Sequence, residues 1–77
     1  MNKQRRMELG EVSDLLDEAT SRLEEIRYEE QDAFDNMPEG LQNSSRGDAM
    51  VEAMDAMDEI MSDIEDVKNK ISELTAN

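Results

Sequence analysis

Apolar residues recur along the first half of the chain at alternating steps of three and four. The series is Leu9, Val12, Leu16, Ala19, Leu23, Ile26, Glu30, Ala33 and Met37, and every member except Glu30 is apolar. An α-helix turns once every 3.6 residues, so this spacing places the whole series on one side of a helix. A half-buried strand would instead need strict alternation, which is not seen. We therefore expect a helix with a heptad pattern of about four repeats.

The second half of the chain carries the same pattern. Its apolar positions are Met50, Ala53, Met57, Ile60, Ile64, Val67, Ile71 and Leu74. Met54 and Met61 widen this stripe beyond the narrow seam of a coiled coil. The methionines indicate either ordinary core packing, which is the commoner use, or a soft groove for a partner. Two helices alone would leave part of so wide a face in water, so we expect two hairpins to dimerise into a four-helix bundle.

The two patterned halves are joined by a segment rich in turn signals. Pro38 disfavours helical geometry at Met37 and so ends the first helix. We expect Gly40 to adopt the positive φ of a tight turn, and Leu41 to cover the end of the core. Ser45, followed three residues later by an acid, is expected to cap the second helix. The chain is thus predicted to be a single all-α domain, an antiparallel two-helix hairpin with helices over about 4–36 and 46–75 and a turn over 37–45.

Composition excludes most chemistry. The 77 residues include no cysteine and no histidine, which removes disulfides, thiolate chemistry and nearly all transition-metal ligation. There is no glycine-rich phosphate loop, no serine in a nucleophile turn and no spacing of acids that fits a calcium loop. We expect no catalytic residues, no cofactor and no metal. A core this small is marginal by itself, which again favours an oligomer or a partner.

Charge narrows the choice of ligand. Twenty-one acids against eight bases give a net charge of −13, which repels both nucleic acid and anionic membrane surfaces. We therefore expect neither to be a direct ligand. The basic start of the chain is not followed by an apolar run of signal-peptide length, and no stretch is long enough to span a membrane. A cytoplasmic location is the expectation.

The acids are concentrated in the second helix. Between Asp48 and Asp66 it carries eight acids and no base: Asp48, Glu52, Asp55, Asp58, Glu59, Asp63, Glu65 and Asp66. At 1.5 Å per residue this is one charge per roughly 3.4 Å, the axial charge density of one strand of duplex DNA. Either this row imitates nucleic acid and occupies the groove of a host protein, or it only confers solubility. Interleaved lysines, which a merely solvated face usually has, are absent from it.

The bases have their own distribution. Five of the eight lie near the two chain ends, namely Lys3, Arg5, Arg6, Lys68 and Lys70. In an antiparallel hairpin both ends of the chain lie together, so the open end is basic and the turn end is acidic. We therefore predict that two hairpins pack head to tail. Such a dimer should be more stable at low salt than at high salt, because salt screens the attraction between unlike ends.

The segment around the turn resembles a known group of sequences. Glu29–Gln42 reads EEQDAFDNMPEGLQ, and Ser45-Arg46-Gly47-Asp48 follows. This phrase, about a quarter of the chain, resembles short, acidic, mostly uncharacterised proteins of bacteriophages, prophages and related mobile elements. The resemblance implies a mobile-element origin and a bacterial host, and it implies no settled activity.

The turn residues allow two interpretations. Connecting two helices accounts for Pro38, Gly40 and Ser45, and the whole phrase can be explained in this structural way. It explains less well the identity of four further residues, Phe34, Asn36, Gln42 and Arg46, which are the candidates for contacting a partner at the tip.

These observations predict a non-catalytic protein that binds and inhibits a host protein, either a defence protein or one that handles nucleic acid. The candidate contact residues are Asp48, Glu52, Asp55, Asp58, Glu59, Asp63 and Asp66, together with the four turn residues. The alternative is a structural or assembly module of a phage, a dimeric coiled coil without an inhibitory role.

Overall fold

The computed structural model describes residues 1–76 and consists of helices joined by short connections. Helix α1 spans Lys3–Asp35, the four-residue α2 spans Glu39–Gln42, and α3 spans Ser45–Thr75. Helices α1 and α3 pack along each other in opposite directions. The radius of gyration is 17.5 Å, against about 11.5 Å for a compact domain of this length. The predicted all-α, antiparallel hairpin is confirmed, and it has the shape of a rod measuring 58 × 15 × 12 Å.

Side chains cap both long helices at their N-termini. Asn2 precedes α1, and its side-chain oxygen accepts a hydrogen bond from the backbone N–H of Arg5 at 2.8 Å. Ser44 precedes α3 and accepts from the N–H of Gly47 at 3.4 Å. The sequence-based choice of Ser45 as the cap is wrong by one residue. The backbone of Ser44 is extended, as a capping residue requires, whereas Ser45 is already helical.

The connection differs from the expected tight turn in two further respects. Gly40 lies inside α2, and no glycine among residues 1–76 has a positive φ. Leu41 does not cover the core, because it remains 48 % exposed. The reason is local. The carbonyl of Pro38 accepts hydrogen bonds from the N–H groups of Leu41 and Gln42, and this short helical turn replaces the expected reversal.

The packed face is the largest correction to the sequence analysis. Half of the expected α1 series is shielded (Leu9, Leu16, Leu23, Glu30 and Met37), but Ser13, Thr20, Arg27 and Phe34 replace Val12, Ala19, Ile26 and Ala33 beside them. On α3, the shielded residues are Met50, Ala53, Met57, Ile64 and Ile71 with Met54, Met61, Lys68 and Thr75, while Ile60, Val67 and Leu74 stay exposed. Since each residue advances 100° around a helix, both helices are rolled by about 50° from the expected orientation.

Two ion pairs between the helices account for this rotation of about 50°. Arg27 and Lys68 lie in the shielded columns and form ion pairs across the hairpin, which the expected orientation would not allow. The resulting core is thin. Among the described residues only Met54, at 5 % exposure, and Gly47 are buried.

Candidate functional site

The two long edges of the hairpin are acidic over most of their length. The heptad position that points directly away from the packed face is acidic four times in succession on each helix, after a first member that is Gln4 on α1 and Ser45 on α3. Its acidic members are Glu11, Glu18, Glu25 and Asp32 on α1 and Glu52, Glu59, Asp66 and Glu73 on α3, all of them exposed. Within each row, successive carboxylates are separated by about 10.5 Å along the helix axis. We call these two rows the acidic edges.

The α1 edge was missed by the sequence analysis, which singled out only the second helix. Its signal is present in the sequence as four acids at intervals of seven residues. It was obscured because Arg22 and Arg27 interrupt the acids of α1, and only the fold shows that neither arginine lies on the edge. The structure therefore makes the acidic surface two-sided.

The candidate residues of α3 do not form a single row. Glu52, Glu59 and Asp66 lie on the α3 edge, and Asp48 and Asp55 occupy an adjacent exposed column. Asp58 and Asp63 lie on opposite flanks of that edge. From helical geometry the seven candidates cover an arc of about 140°.

Asp58 forms an ion pair with Arg27 that joins α3 to α1. Arg27 donates through Nε to Asp58 Oδ1 at 2.6 Å and through Nη2 to Oδ2 at 3.1 Å, the two-bond geometry that guanidinium and carboxylate groups favour. The hydrogen bond that Arg27 donates to Asp58 raises the pKa of Arg27, with a further contribution from the negative charge of Asp58. Asp58 is thus less available to a partner than its neighbours Asp55 and Glu59.

A second ion pair lies nearer the open end. The ammonium of Lys68 contacts Asp17 of α1 and also lies 3.6 Å from Glu65 on its own helix. The hydrogen bond to Asp17, with the charges of both acids, raises the pKa of Lys68. The two ion pairs lie ten residues apart on each helix, so together they fix the antiparallel register.

At the turn, two of the four candidate residues have structural contacts. Gln42 donates through its side-chain Nε2 to the backbone carbonyl of Phe34 at 2.9 Å, which satisfies a carbonyl in the last turn of α1. Phe34 itself is half-buried. The side chains of Asn36 and Arg46 are exposed. The structural interpretation therefore gains support for Gln42 and Phe34, while Asn36 and Arg46 stay accessible.

A glycine not considered at the sequence level holds the turn together. Gly47 is buried, and a Cβ added to it would overlap the backbone of Gln42. The first turn of α3 can approach the connection this closely only because residue 47 has no side chain.

Residues 1–76 contain neither a candidate metal site nor a candidate membrane span. These residues contain no group of three or more acids positioned to hold a metal ion. No helix within them has the length and apolar character needed to cross a membrane. The surface depression beside Tyr28 is open and is lined largely by acids, Glu24, Glu25 and Glu29.

Comparison with protein-family models, with curated proteins and with solved structures gives no match to this chain. Its function is therefore inferred from the acidic edges, the ion pairs and the remaining exposed surface.

Proposed function

We propose that this chain is a non-catalytic binding protein that inhibits a basic, nucleic-acid-binding or defence protein of a bacterial host. The acidic α3 edge and the adjacent Asp48 and Asp55 would occupy the groove that normally holds nucleic acid. The observation that carries this proposal is the acidic row of α3, which contains no base between Asp48 and Asp66 and is exposed.

Energetic considerations support a binding role. Like charges four residues apart on a helix, such as Asp55 and Glu59, destabilise it by a few tenths of a kcal/mol per pair. Because the core is thin, the free energy of unfolding is expected to be small, and repulsion within the acidic row lowers it further. A role in solubility alone does not explain why this destabilising row is retained. A cationic groove would turn the same repulsion into attraction and would guide association over long range.

A mobile-element origin, which the turn phrase implies, agrees with this role, and the proposed location is the bacterial cytoplasm. The active form is proposed to be a homodimer, because a single hairpin leaves much of its apolar surface in water. The competing function, a phage assembly module, is favoured by that same apolar surface. The two differ in whether the acidic edge makes contacts of its own.

Charge reversal on the α3 edge separates these functions. The triple variant Glu52→Lys, Asp55→Lys, Glu59→Lys avoids the paired Asp58. The matched control, Glu11→Lys, Glu18→Lys, Glu25→Lys, changes the net charge equally on the opposite edge. Tagged proteins would be used to capture binding proteins from bacterial lysate at low and high salt, followed by mass spectrometry and competition with duplex DNA.

Groove occupation predicts capture of a basic nucleic-acid-binding protein that both high salt and duplex DNA release. The α3 variant should weaken this binding by at least about tenfold, whereas the α1 variant should retain most of it. Equal losses in both variants would indicate nonspecific charge attraction. Recovery of no partner, or of one that DNA does not displace, would favour the assembly module.

A further inference from the structure

Two columns of apolar residues lie beside the hairpin core. They are Val12, Ala19, Ile26 and Ala33 on α1 and Ala53, Ile60, Val67 and Leu74 on α3, and all of them except the partly shielded Ala53 are exposed. Within them, Ile26 and Leu74 are each 52 % exposed, Ile60 46 %, Val67 44 % and Val12 42 %. Isolated exposed apolar residues are common on proteins, whereas these seven exposed residues recur at every seventh position of each helix.

The two columns lie on the same side of the hairpin. On α1 the apolar column lies one residue before the column of Arg27, and on α3 it lies one residue before the column of Lys68. The two columns are therefore rotated from the packed face by the same angle. Because the helices are antiparallel, this equal rotation brings both columns to the same side of the hairpin. The ion pairs Arg27–Asp58 and Asp17–Lys68 lie on the opposite side. We call the side that carries the eight residues the apolar face.

The register aligns these residues into layers. In an antiparallel pair of helices, residues at the same level have residue numbers with a constant sum. This sum is 85 for both ion pairs, and the apolar residues at the same level have a sum of 86. Val12 therefore lies level with Leu74, Ala19 with Val67, Ile26 with Ile60 and Ala33 with Ala53, in four layers about 10.5 Å apart. Large and small residues thus form a continuous stripe along the rod.

Charge is sparse on this face, although the chain carries a net charge of −13. The column that borders it on each helix contains only three acids, Glu8, Glu29 and Asp63, and these alternate with Arg22 and Lys70. Three further members of that column, Leu15, Ala49 and Ala56, are apolar. Arg5 and Arg46 stand at the ends of the apolar columns themselves. Depletion of charge with a mixed polar border is the composition of a protein–protein contact.

We propose that the apolar face binds a second copy of this chain, with two hairpins packed face to face and head to tail as a four-helix bundle. The broad side of a 58 × 15 Å rod offers about 870 Å², close to the roughly 800 Å² per partner of a standard interface. Head-to-tail packing brings the basic open end of each copy beside the acidic turn end of the other. All four neighbouring helix pairs are then antiparallel, as in the hairpin itself.

This arrangement leaves both acidic edges of each copy on the outside. The dimer therefore does not require the proposed inhibition, and the mass in solution tests it separately from the capture of a partner. It also accounts for the marginal core, because the half of the apolar stripe that the hairpin leaves in water is buried between copies.

The test is the mass in solution, by sedimentation equilibrium over a range of concentrations, of the full chain and of a matched pair of variants. Ile60→Glu places a carboxylate on the apolar face. Val51→Glu places the same charge on the same helix at a residue of comparable exposure, 39 %, on the ion-paired side. We expect the unmodified chain to sediment at twice its mass of 8.8 kDa. Ile60→Glu should raise the dissociation constant of the dimer at least about 100-fold, whereas Val51→Glu should change it little.

A mass of 8.8 kDa at all concentrations, or equal effects of the two variants, would overturn the proposal. Capture of a foreign apolar helix by a chain that stays monomeric would overturn it equally. Should Ile60→Glu unfold the chain, Ala19→Cys provides an independent measurement. Its thiol should react with a maleimide more slowly in the dimer than on dilution, whereas Ser21→Cys on the outer surface should react equally in both.

Orientation is measured with a spin label at Glu39→Cys, since the chain has no other cysteine. Head-to-tail packing places the two turns at opposite ends of the 58 Å rod, so the labels should lie about 50 Å apart. A distance of about 20 Å or less, as expected if both turns lay at the same end of helices spaced about 8–10 Å apart, would overturn the head-to-tail arrangement.

Discussion

Arg27 and Asp58 form a two-bond ion pair that connects residues 31 positions apart in sequence and joins the middle of α1 to the middle of α3. It lies in a column where the sequence pattern predicted nothing polar between the helices. The side chain of Arg27 is itself only 32 % exposed, and long basic residues at such sites commonly bury their carbon chain against apolar neighbours.

Removal of this ion pair should destabilise the hairpin less than loss of a buried core residue, because Asp58 remains half-exposed. We expect Arg27→Met, which keeps the apolar stem, to be milder than Arg27→Ala. Thermal unfolding followed by circular dichroism would rank the two variants. Equal losses would show that charge, and not packing of the stem, is the main contribution of Arg27.

Met54 is the one buried apolar side chain of the described residues, and its truncation should be costly. Met54→Ala is expected to lower the free energy of unfolding by about 2 kcal/mol, from lost burial and a residual cavity. The control is Met7→Ala, since Met7 is 56 % exposed and should change stability by no more than about 0.5 kcal/mol. Urea titration measures both. A loss at Met7 as large as that at Met54 would contradict the placement of the core.

The three glycines should respond differently to the same substitution. Gly47→Ala should destabilise by about 2 kcal/mol, because the added methyl group overlaps the backbone of Gln42. Gly10→Ala and Gly40→Ala meet open space within helices and should stabilise by about 0.5–1 kcal/mol each. Unfolding midpoints of the three variants give the comparison. Stabilisation by Gly47→Ala would mean that α3 does not approach the connection as closely as described.

Alkaline pH should weaken the open end of the hairpin. The pKa of Lys68 is raised in the folded state by its hydrogen bond to Asp17, so the folded form holds this proton more tightly than the unfolded form. The resulting stabilisation is complete below the ordinary lysine pKa of 10.5 and is lost as pH rises through the raised value.

Stability measured against pH in the unmodified chain and in Lys68→Met would test this. The variant should lose less stability than the unmodified chain as pH rises past 10.5. Parallel curves for the two proteins would exclude a contribution from the Lys68–Asp17 pair.

The sequence by itself determined the two long helices of this protein. Steps of three and four from Leu9 to Met37 and from Met50 to Leu74 require helices, since only that period keeps apolar residues on one side. Pro38 separates them, and the long acidic row is visible without a structure. One apolar column of each helix, represented by Leu16 and Ile64, was also placed correctly in the packed face.

Only the tertiary structure decided which second column of each helix lies in the packed face. The heptad pattern permits a helix to rotate by about 50°, half of the angle between successive residues, with little change in the apolar area it buries. The orientation is therefore chosen by contacts between residues far apart in sequence, Arg27 with Asp58 and Asp17 with Lys68. Ile26 and Ile60 are left on an open face for this reason. The role of Gly47 was hidden for the same reason, because the backbone of Gln42 approaches it only once the connection has folded.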